Sequence, residues 1–149
     1  MDDEVKQNFW QKMKRGEKIL AVALVIVFLF VFYIALDANK YQATVHVIEG
    51  EGKVGVNPTT ERLDFGDLSP GTSAIRRVDI ENGTSIPMYV AVVNLGSIND
   101  LMKINKSSFT LSPDAKDVIE FTVYMPASAP IDATLTGRVF IFKIPKPWK

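Results

Sequence analysis

The sequence has no cysteine among its 149 residues and only one histidine, His46. Without cysteine the chain cannot form a disulfide scaffold, a thiolate metal site, a cysteine nucleophile or a lipidated cysteine anchor. A single histidine has no second imidazole with which to hold a metal, so we expect His46 to be a partly exposed strand residue. These absences exclude the commonest thiol and metal chemistries.

The chain also has no excess of charge of either sign, because 17 Lys and Arg balance 17 Asp and Glu. A neutral chain has no overall field that would attract nucleic acid. The sequence contains no Walker loop, no calcium loop of the EF-hand type and no serine nucleophile motif of the signal-peptidase type. We therefore expect no enzyme, no cofactor, no metal and no small-molecule substrate. A membrane-tethered hydrolase is the less favoured alternative.

One long apolar run stands near the N-terminus. Residues 19–36 contain no charge, proline or glycine. Eighteen helical residues at about 1.5 Å each extend roughly 27 Å, close to the thickness of a bilayer's hydrocarbon core. The run therefore predicts one transmembrane helix that acts as a signal anchor. A cleaved signal peptide is the main alternative, but the run is longer than the usual apolar region and no Ala-x-Ala pattern follows it.

The residues that flank this run predict its orientation. Basic side chains are concentrated on its N-terminal side, at Lys12, Lys14, Arg15 and Lys18, whereas only Lys40 follows closely. By the positive-inside rule, the N-terminus is cytoplasmic and the remaining chain is extracytoplasmic. We expect three aromatic residues at the membrane interfaces: Trp10, Tyr33 and Tyr41. For the residues before the run, the sequence leaves three alternatives open. They form a short interfacial helix, they continue the spanning helix, or they contact a membrane partner.

After residue 40 the pattern changes to short β-like segments separated by turn residues. Nine candidate strands cover residues 42–48, 52–56, 62–65, 73–81, 88–95, 101–104, 108–111, 117–125 and 134–144. This spacing predicts an all-β sandwich. The expected organisation is a cytoplasmic or interfacial segment (1–18), a transmembrane helix (19–36), a linker (37–40), a β-sandwich (41–144) and a tail (145–149).

Alternation of apolar and polar residues assigns the inner faces of the strands. The candidate core consists of Phe65, Val78, Ile80, Val90, Val92, Phe109, Leu111, Ile119, Phe121, Val123, Val139 and Ile141. The last strand is apolar on both faces, because Phe140 and Phe142 alternate with its core residues. Either this strand is central or covered by a loop, or its outer aromatic residues form a docking surface.

Three further features are candidates for interaction or modification. Two N-glycosylation sequons begin at Asn82 and Asn105, both in predicted loops. The first strand after the anchor is expected to be a sheet edge that is open to strand addition. In an immunoglobulin-like topology the last strand would end far from the membrane, which would place Trp148 at the distal tip as a candidate partner-binding residue.

Two stretches resemble known families. Residues 63–71, 77–82 and 87–90 are similar to the opening of immunoglobulin-like domains of the major-sperm-protein and ASH type, and residues 111–141 are similar to the closing half of bacterial and archaeal envelope sandwiches. The resemblance implies an immunoglobulin-like fold. One N-terminal helix before a small β-sandwich also resembles the archaellum stator proteins, which grip the surface layer. Residues 15–17 resemble the processing site of archaeal type IV pilins over a few residues only.

Together these features predict a non-catalytic, membrane-anchored module of a prokaryotic, and by resemblance archaeal, cell envelope. Its expected partners are the lipid bilayer and another envelope or membrane protein, with a role in binding or scaffolding that includes bracing a surface filament or surface layer. An accessory subunit of a larger membrane complex is the alternative.

Overall fold

The structure is a computed structural model that describes residues 9–50, 52 and 63–146. The chain divides after Leu36 into two compact units, an N-terminal helical unit and a β-rich unit. The β-rich unit is built of strands and turns, as the sequence predicts. Trp148 and most of the candidate strand at 52–56 lie outside the described residues.

The helical unit contains two helices, α1 (Phe9–Lys12) and α2 (Arg15–Asp37). The backbone N–H of Lys14 donates to Oε2 of Glu17 at 2.7 Å, which caps the start of α2 and separates it from α1. The prediction that the preceding segment continues the long helix is therefore wrong for residues 9–12. α2 has 23 residues and no buried side chain, and it is long and apolar enough to cross a membrane.

The β-rich unit has eight strands among the described residues. They are β1 (Asn39–Val47), β2 (Leu63–Leu68), β3 (Ser73–Glu81), β4 (Met88–Gly96), β5 (Met102–Ile104), β6 (Ser108–Leu111), β7 (Lys116–Tyr124) and β8 (Thr134–Pro145). A 3-10 turn, Asn99–Leu101, precedes β5. Each strand coincides with a predicted one to within a few residues. The linker is shorter than predicted, because Ala38 alone separates α2 from β1.

The strands form two sheets, ordered β2-β1-β8-β4-β6 and β3-β7-β5. All pairings are antiparallel except that of β1 with β2, which is parallel. β1 is therefore an inner strand of the larger sheet, and the expectation of an open edge strand after the anchor is wrong. Its backbone groups are engaged by β2 on one side and β8 on the other.

One hydrophobic cluster lies between the two sheets and draws residues from both. Every predicted core residue is buried except Phe109, which is half-buried against the cluster. β1 adds three side chains that are 0% exposed, Ala43, Val45 and Val47. The predicted core does not include them, although they alternate with polar residues along β1.

The register of β8 against β1 corrects the expected position of the chain's end. Ile141 lies opposite Asn39, the first residue of β1, so the rest of β8 extends past the start of β1. The backbone N–H of Lys146 donates to the carbonyl of Pro87 at 2.8 Å. β8 thus ends at the end of the sheet to which α2 is joined, and the expected distal tip is wrong for residues up to 146.

Gly96 and Gly137 are opposite each other where β4 and β8 come closest. A Cβ on Gly96 would lie 2.6 Å from the Cα of Gly137, and Gly96 has a φ of +112°. We predict that Gly96→Ala lowers the free energy of unfolding by at least about 1–3 kcal/mol, since it adds both a backbone clash and a disfavoured φ. Urea denaturation measures the loss.

Gly83→Ala is the matched control, because a Cβ at Gly83 meets nothing within 4 Å. Its midpoint should stay close to that of the unsubstituted chain. Equal losses in the two variants would contradict the close approach of β4 and β8.

Candidate interaction surface

The outer face of the larger sheet carries a continuous set of apolar side chains on its two neighbouring strands β4 and β8. We call this set the apolar strip, and it consists of Tyr89, Val93, Leu95, Phe140, Phe142 and Ile144. The cross-strand register brings Tyr89 opposite Ile144 and Val93 opposite Phe140. The apolar side chains of the strip therefore form one contiguous surface.

The aromatic residues of the strip are partly exposed, and two of them stack on each other. The rings of Phe140 and Phe142 stack with centroids 6.2 Å apart, and both side chains are half-buried. On β4, Tyr89 is 39% exposed and Leu95 is 57% exposed. β8 is an inner strand, as one reading of its two apolar faces predicts, yet no layer of the described residues covers its outer aromatic side chains.

Charged residues bound the strip. Lys40 of β1 lies opposite Phe140, and Arg138 lies opposite Leu95, and both cations are exposed. An apolar centre with a charged margin is the usual composition of a protein interface. Because β1 begins opposite Ile141, the strip's residues Phe142 and Ile144 lie at the end of the sheet that continues into α2.

The outer face of the smaller sheet has a different character. Arg77 and Glu120 form an ion pair at 3.0 Å across β3 and β7, and Lys116 pairs with Glu81 at 3.0 Å. Paired charges of this kind suit a solvated face. The smaller sheet also exposes Ile75, Val118 and Tyr124 on this face, but ion pairs lie among them. The apolar strip of the larger sheet has no ion pair within it among the described residues.

Sequence reasoning found part of this surface. It singled out Phe140 and Phe142 but omitted Tyr89, Val93 and Leu95. The available signal was the run of apolar residues in β4, which is apolar on both faces like β8. Two adjacent strands with this pattern predict an apolar outer face only once their pairing is known.

The three aromatic residues expected at membrane interfaces differ in their surroundings. Trp10 of α1 is 49% exposed and Tyr33 of α2 is 58% exposed, which leaves both free for lipid contact. Tyr41 instead packs against the hydrophobic cluster from the inner side of β1, and burial raises the pKa of its phenol. Tyr41 is half-buried, and its place at a membrane interface stays a prediction.

In the described part of the chain, several titratable side chains form pairs. Nδ1 of His46 lies 3.3 Å from Oδ1 of Asp67, linking the outer sides of β1 and β2. Among residues 9–50 and 63–146, no three His, Asp or Glu side chains are arranged to hold a metal ion. Oγ of Ser97 donates to the carbonyl of Thr136 at 3.1 Å and so fastens the end of β4 to β8.

Asn82, the first sequon asparagine, is buried in a dense hydrogen-bond network. Its side chain is 2% exposed, and Nδ2 donates to the carbonyl oxygens of Ile86, Leu111 and Ser112 at 2.9, 3.2 and 2.9 Å. Its Oδ1 accepts from the backbone N–H and the hydroxyl of Thr84. Asn82 therefore joins the loop after β3 to the end of β6, and its amide is not available for modification in the folded chain.

Asn105, the second sequon asparagine, is exposed in the turn between β5 and β6. Its Oδ1 accepts the backbone N–H of Glu120 at 2.8 Å. The next residue, Lys106, binds both carboxylate oxygens of Asp117 at 2.6 and 2.8 Å. That hydrogen bond, together with one from the backbone N–H of Val118, holds the pKa of Asp117 below its usual range.

Comparisons of the chain with protein-family models, curated proteins and solved structures found no match.

We predict that Asn82→Ala lowers the free energy of unfolding by about 1–3 kcal/mol, because it leaves buried carbonyl groups without a donor. The matched control is Asn99→Ala, at an exposed position in the 3-10 turn, which should change stability by less than about 0.5 kcal/mol. Thermal unfolding, monitored by circular dichroism, measures the difference between the Asn82→Ala and Asn99→Ala variants. An unchanged midpoint for Asn82→Ala would contradict the structural role of this amide.

We predict that Lys106→Met removes a pH-dependent part of the stability. A carboxyl whose pKa is lowered by folding stabilises the protein above its unfolded pKa of about 3.9 and loses that effect as the pH falls through the folded value. The stability difference between the unsubstituted chain and the variant should therefore be full near pH 6 and shrink below about pH 4.

Lys103→Met is the control for this titration, since Lys103 is an exposed cation of β5 outside the ion pairs of the described chain. Its effect on stability should vary little over the same pH range. A constant difference for Lys106→Met would contradict the coupling to Asp117.

Proposed function

We propose that the chain is a non-catalytic, membrane-anchored module that binds or braces another protein of the cell envelope. The observation that carries the proposal is the apolar strip, presented by a β-rich unit that is joined through one residue to a helix of membrane-spanning length. In this proposal the N-terminus is cytoplasmic and the β-rich unit is extracytoplasmic.

Membrane anchoring is supported by the composition of α2. None of its side chains is buried within the chain, and its stretch from Ile19 to Leu36 is uncharged. A soluble helix of this length would bury at least one stripe against its own protein. The basic residues from Lys12 to Lys18 precede the span and favour a cytoplasmic N-terminus.

The protein partner is inferred from the chemistry of the strip. Stacked Phe140 and Phe142 beside Tyr89 provide large, rigid apolar area that is only partly covered. Aromatic residues of this kind supply much of the affinity of protein interfaces, with charged residues at the margin for specificity. Lys40 and Arg138 are placed to take that marginal role.

The short connection limits where such a partner lies. Ala38 alone separates α2 from β1, and the strip reaches the end of the sheet where β1 begins. With α2 in a bilayer, a partner bound to Phe142 and Ile144 lies near the membrane surface. This position suits a component that is anchored in, or rests on, the same membrane.

We further propose that the β-rich unit is a variant of the immunoglobulin-like sandwich. Two mainly antiparallel sheets around one core support this assignment. The position of β1 departs from the simple order, in which the first strand is an edge strand. The resemblance of the chain's architecture to archaellum stator proteins makes bracing of a surface filament or surface layer the form of scaffolding that we favour.

A second candidate function is that of an accessory subunit in a larger membrane complex. It is favoured by a groove of about 460 Å³ in the helical unit, lined by Lys12, Met13, Glu17, Leu20, Ala21 and Leu24. Phe28 and Phe32 also stack on one face of α2, with centroids 6.1 Å apart. A partner helix that packs on this groove would place the main interface in the membrane.

Site-specific photo-crosslinking in the native membrane tests the proposal. A crosslinker at Tyr89 or Leu95 should give one common protein adduct, because both residues lie in the strip. A crosslinker at Ile75, which is 48% exposed on β3 of the other sheet, is the matched control and should not give that adduct.

Phe142→Ser should weaken the same adduct by roughly thirtyfold, since an aromatic interface anchor typically contributes about 2 kcal/mol. Ile75→Ser should leave it unchanged. Adducts with lipid alone from Tyr89 and Leu95 would overturn the protein-binding role. An adduct from Leu24 in place of the strip would favour the accessory subunit.

A further inference from the structure

Two N-glycosylation sequons occur in the β-rich unit, Asn-x-Thr at Asn82 and Asn-x-Ser at Asn105, and their asparagines have different surroundings. A glycan is attached through Nδ2 of asparagine, so the surroundings of that nitrogen decide which sequon the folded chain offers. A third Asn-x-Ser/Thr sequence, at Asn57, contains a proline and is barred as an acceptor.

At Asn82 the nitrogen is enclosed. It donates to three carbonyl oxygens from two separate loops, and the side chain is 2% exposed. A sugar would replace one of the two hydrogens on this nitrogen, so it would break at least one of these hydrogen bonds, and it would occupy space that the protein fills. In the folded chain this asparagine is therefore not accessible for glycosylation.

At Asn105 the nitrogen is open. The side-chain oxygen Oδ1 accepts the backbone N–H of Glu120. Because a backbone N–H can only donate, the amide atom that faces it must be the oxygen and not the nitrogen. This hydrogen bond does not use Nδ2, and within the described residues no hydrogen-bond acceptor contacts that nitrogen. The side chain of Ser107, the third sequon residue, is exposed as well.

The turn that carries this sequon is held by its backbone and its middle residue. Asn105 donates its N–H to the carbonyl of Glu120 at 3.1 Å, and the carbonyl of Ser107 accepts from Val92 at 2.8 Å. Lys106 is directed to Asp117. The three anchors use none of the atoms that a glycosylating enzyme needs, namely Nδ2 of Asn105 and Oγ of Ser107.

We propose that Asn105 is the residue at which the folded chain accepts an N-linked glycan. In the transfer, Nδ2 forms a bond to the anomeric carbon of a lipid-linked oligosaccharide, the bond from that carbon to the lipid phosphate breaks, and the phosphate leaves with the electron pair. The transferase takes the proton from Nδ2. Modification in the cell rests on the proposed extracytoplasmic placement of the β-rich unit.

A glycan at this turn has a structural consequence. The turn joins β5 and β6, which are the edge strands of the two sheets on the same side. An open edge strand is a template for pairing with another chain. A hydrated oligosaccharide at Asn105 covers both edges and leaves the apolar strip on β4 and β8 as the surface for a partner.

The test is transfer in vitro onto the full folded chain in detergent, with an oligosaccharyl transferase and a lipid-linked oligosaccharide, followed by peptide mass analysis. We expect the added sugar mass on the peptide with Asn105 and none on the peptide with Asn82. Isolated peptides of residues 79–87 and 102–110 should both be modified, because neither retains the fold.

Ser107→Ala removes the sequon but keeps Asn105 as the acceptor for Glu120, and it should abolish transfer to the chain while leaving its unfolding midpoint unchanged. Transfer to Asn82 in the folded chain, or no transfer to Asn105, would overturn the inference. Neither result changes the expected crosslinks from the strip, so the crosslinking experiment tests the proposed function independently of the glycan. A glycan at Asn105 in material from the native membrane is the expected result in the cell.

Discussion

The two-sided pairing of β1 is the constraint on which the β-rich unit depends. β1 follows α2 after a single residue and pairs in parallel with β2 and antiparallel with β8. Its inner side chains Ala43, Val45 and Val47 are fully buried in the cluster shared by both sheets. A force applied to α2 therefore acts on an inner strand. Pulling β1 out of the sheet requires the loss of its hydrogen bonds to both β2 and β8. Attachment through an edge strand would be opposed by the hydrogen bonds to only one neighbour.

The same pairing sets the position of the apolar strip. Because β8 runs antiparallel to β1, its last residues lie at the end of the sheet where β1 begins. Because β8 also pairs with β4, the outer residues of both strands merge into one surface. The start of β1, the end of β8 and the strip's residues Phe142 and Ile144 thus lie at one end of the sheet because β8 pairs antiparallel with β1.

Much of the fold was predictable from local pattern. The charge-free run predicted α2, and alternation at residues 73–81 and 108–111 gave the bounds of β3 and β6 as the structure has them. Pairing was not predictable in this way, because alternation reports which side of a strand is buried and not which strands are its neighbours. The edge role of β1 and the distal end of β8 were both errors of that kind. The two sequons are alike as sequences, and only contacts with residues up to 30 positions away in the chain enclose Asn82.

The sequence by itself determined a helix of membrane-spanning length, a β-rich unit after it and most of the residues in its core. These features depend on composition and on periods of two or 3.6 residues, which are local properties of a chain. The tertiary structure alone decided that β1 is an inner strand, that Phe140 and Phe142 join Tyr89 in one strip, and that Asn105 and not Asn82 has an open amide. Each of these depends on groups far apart in sequence, whose proximity arises only when the strands pair.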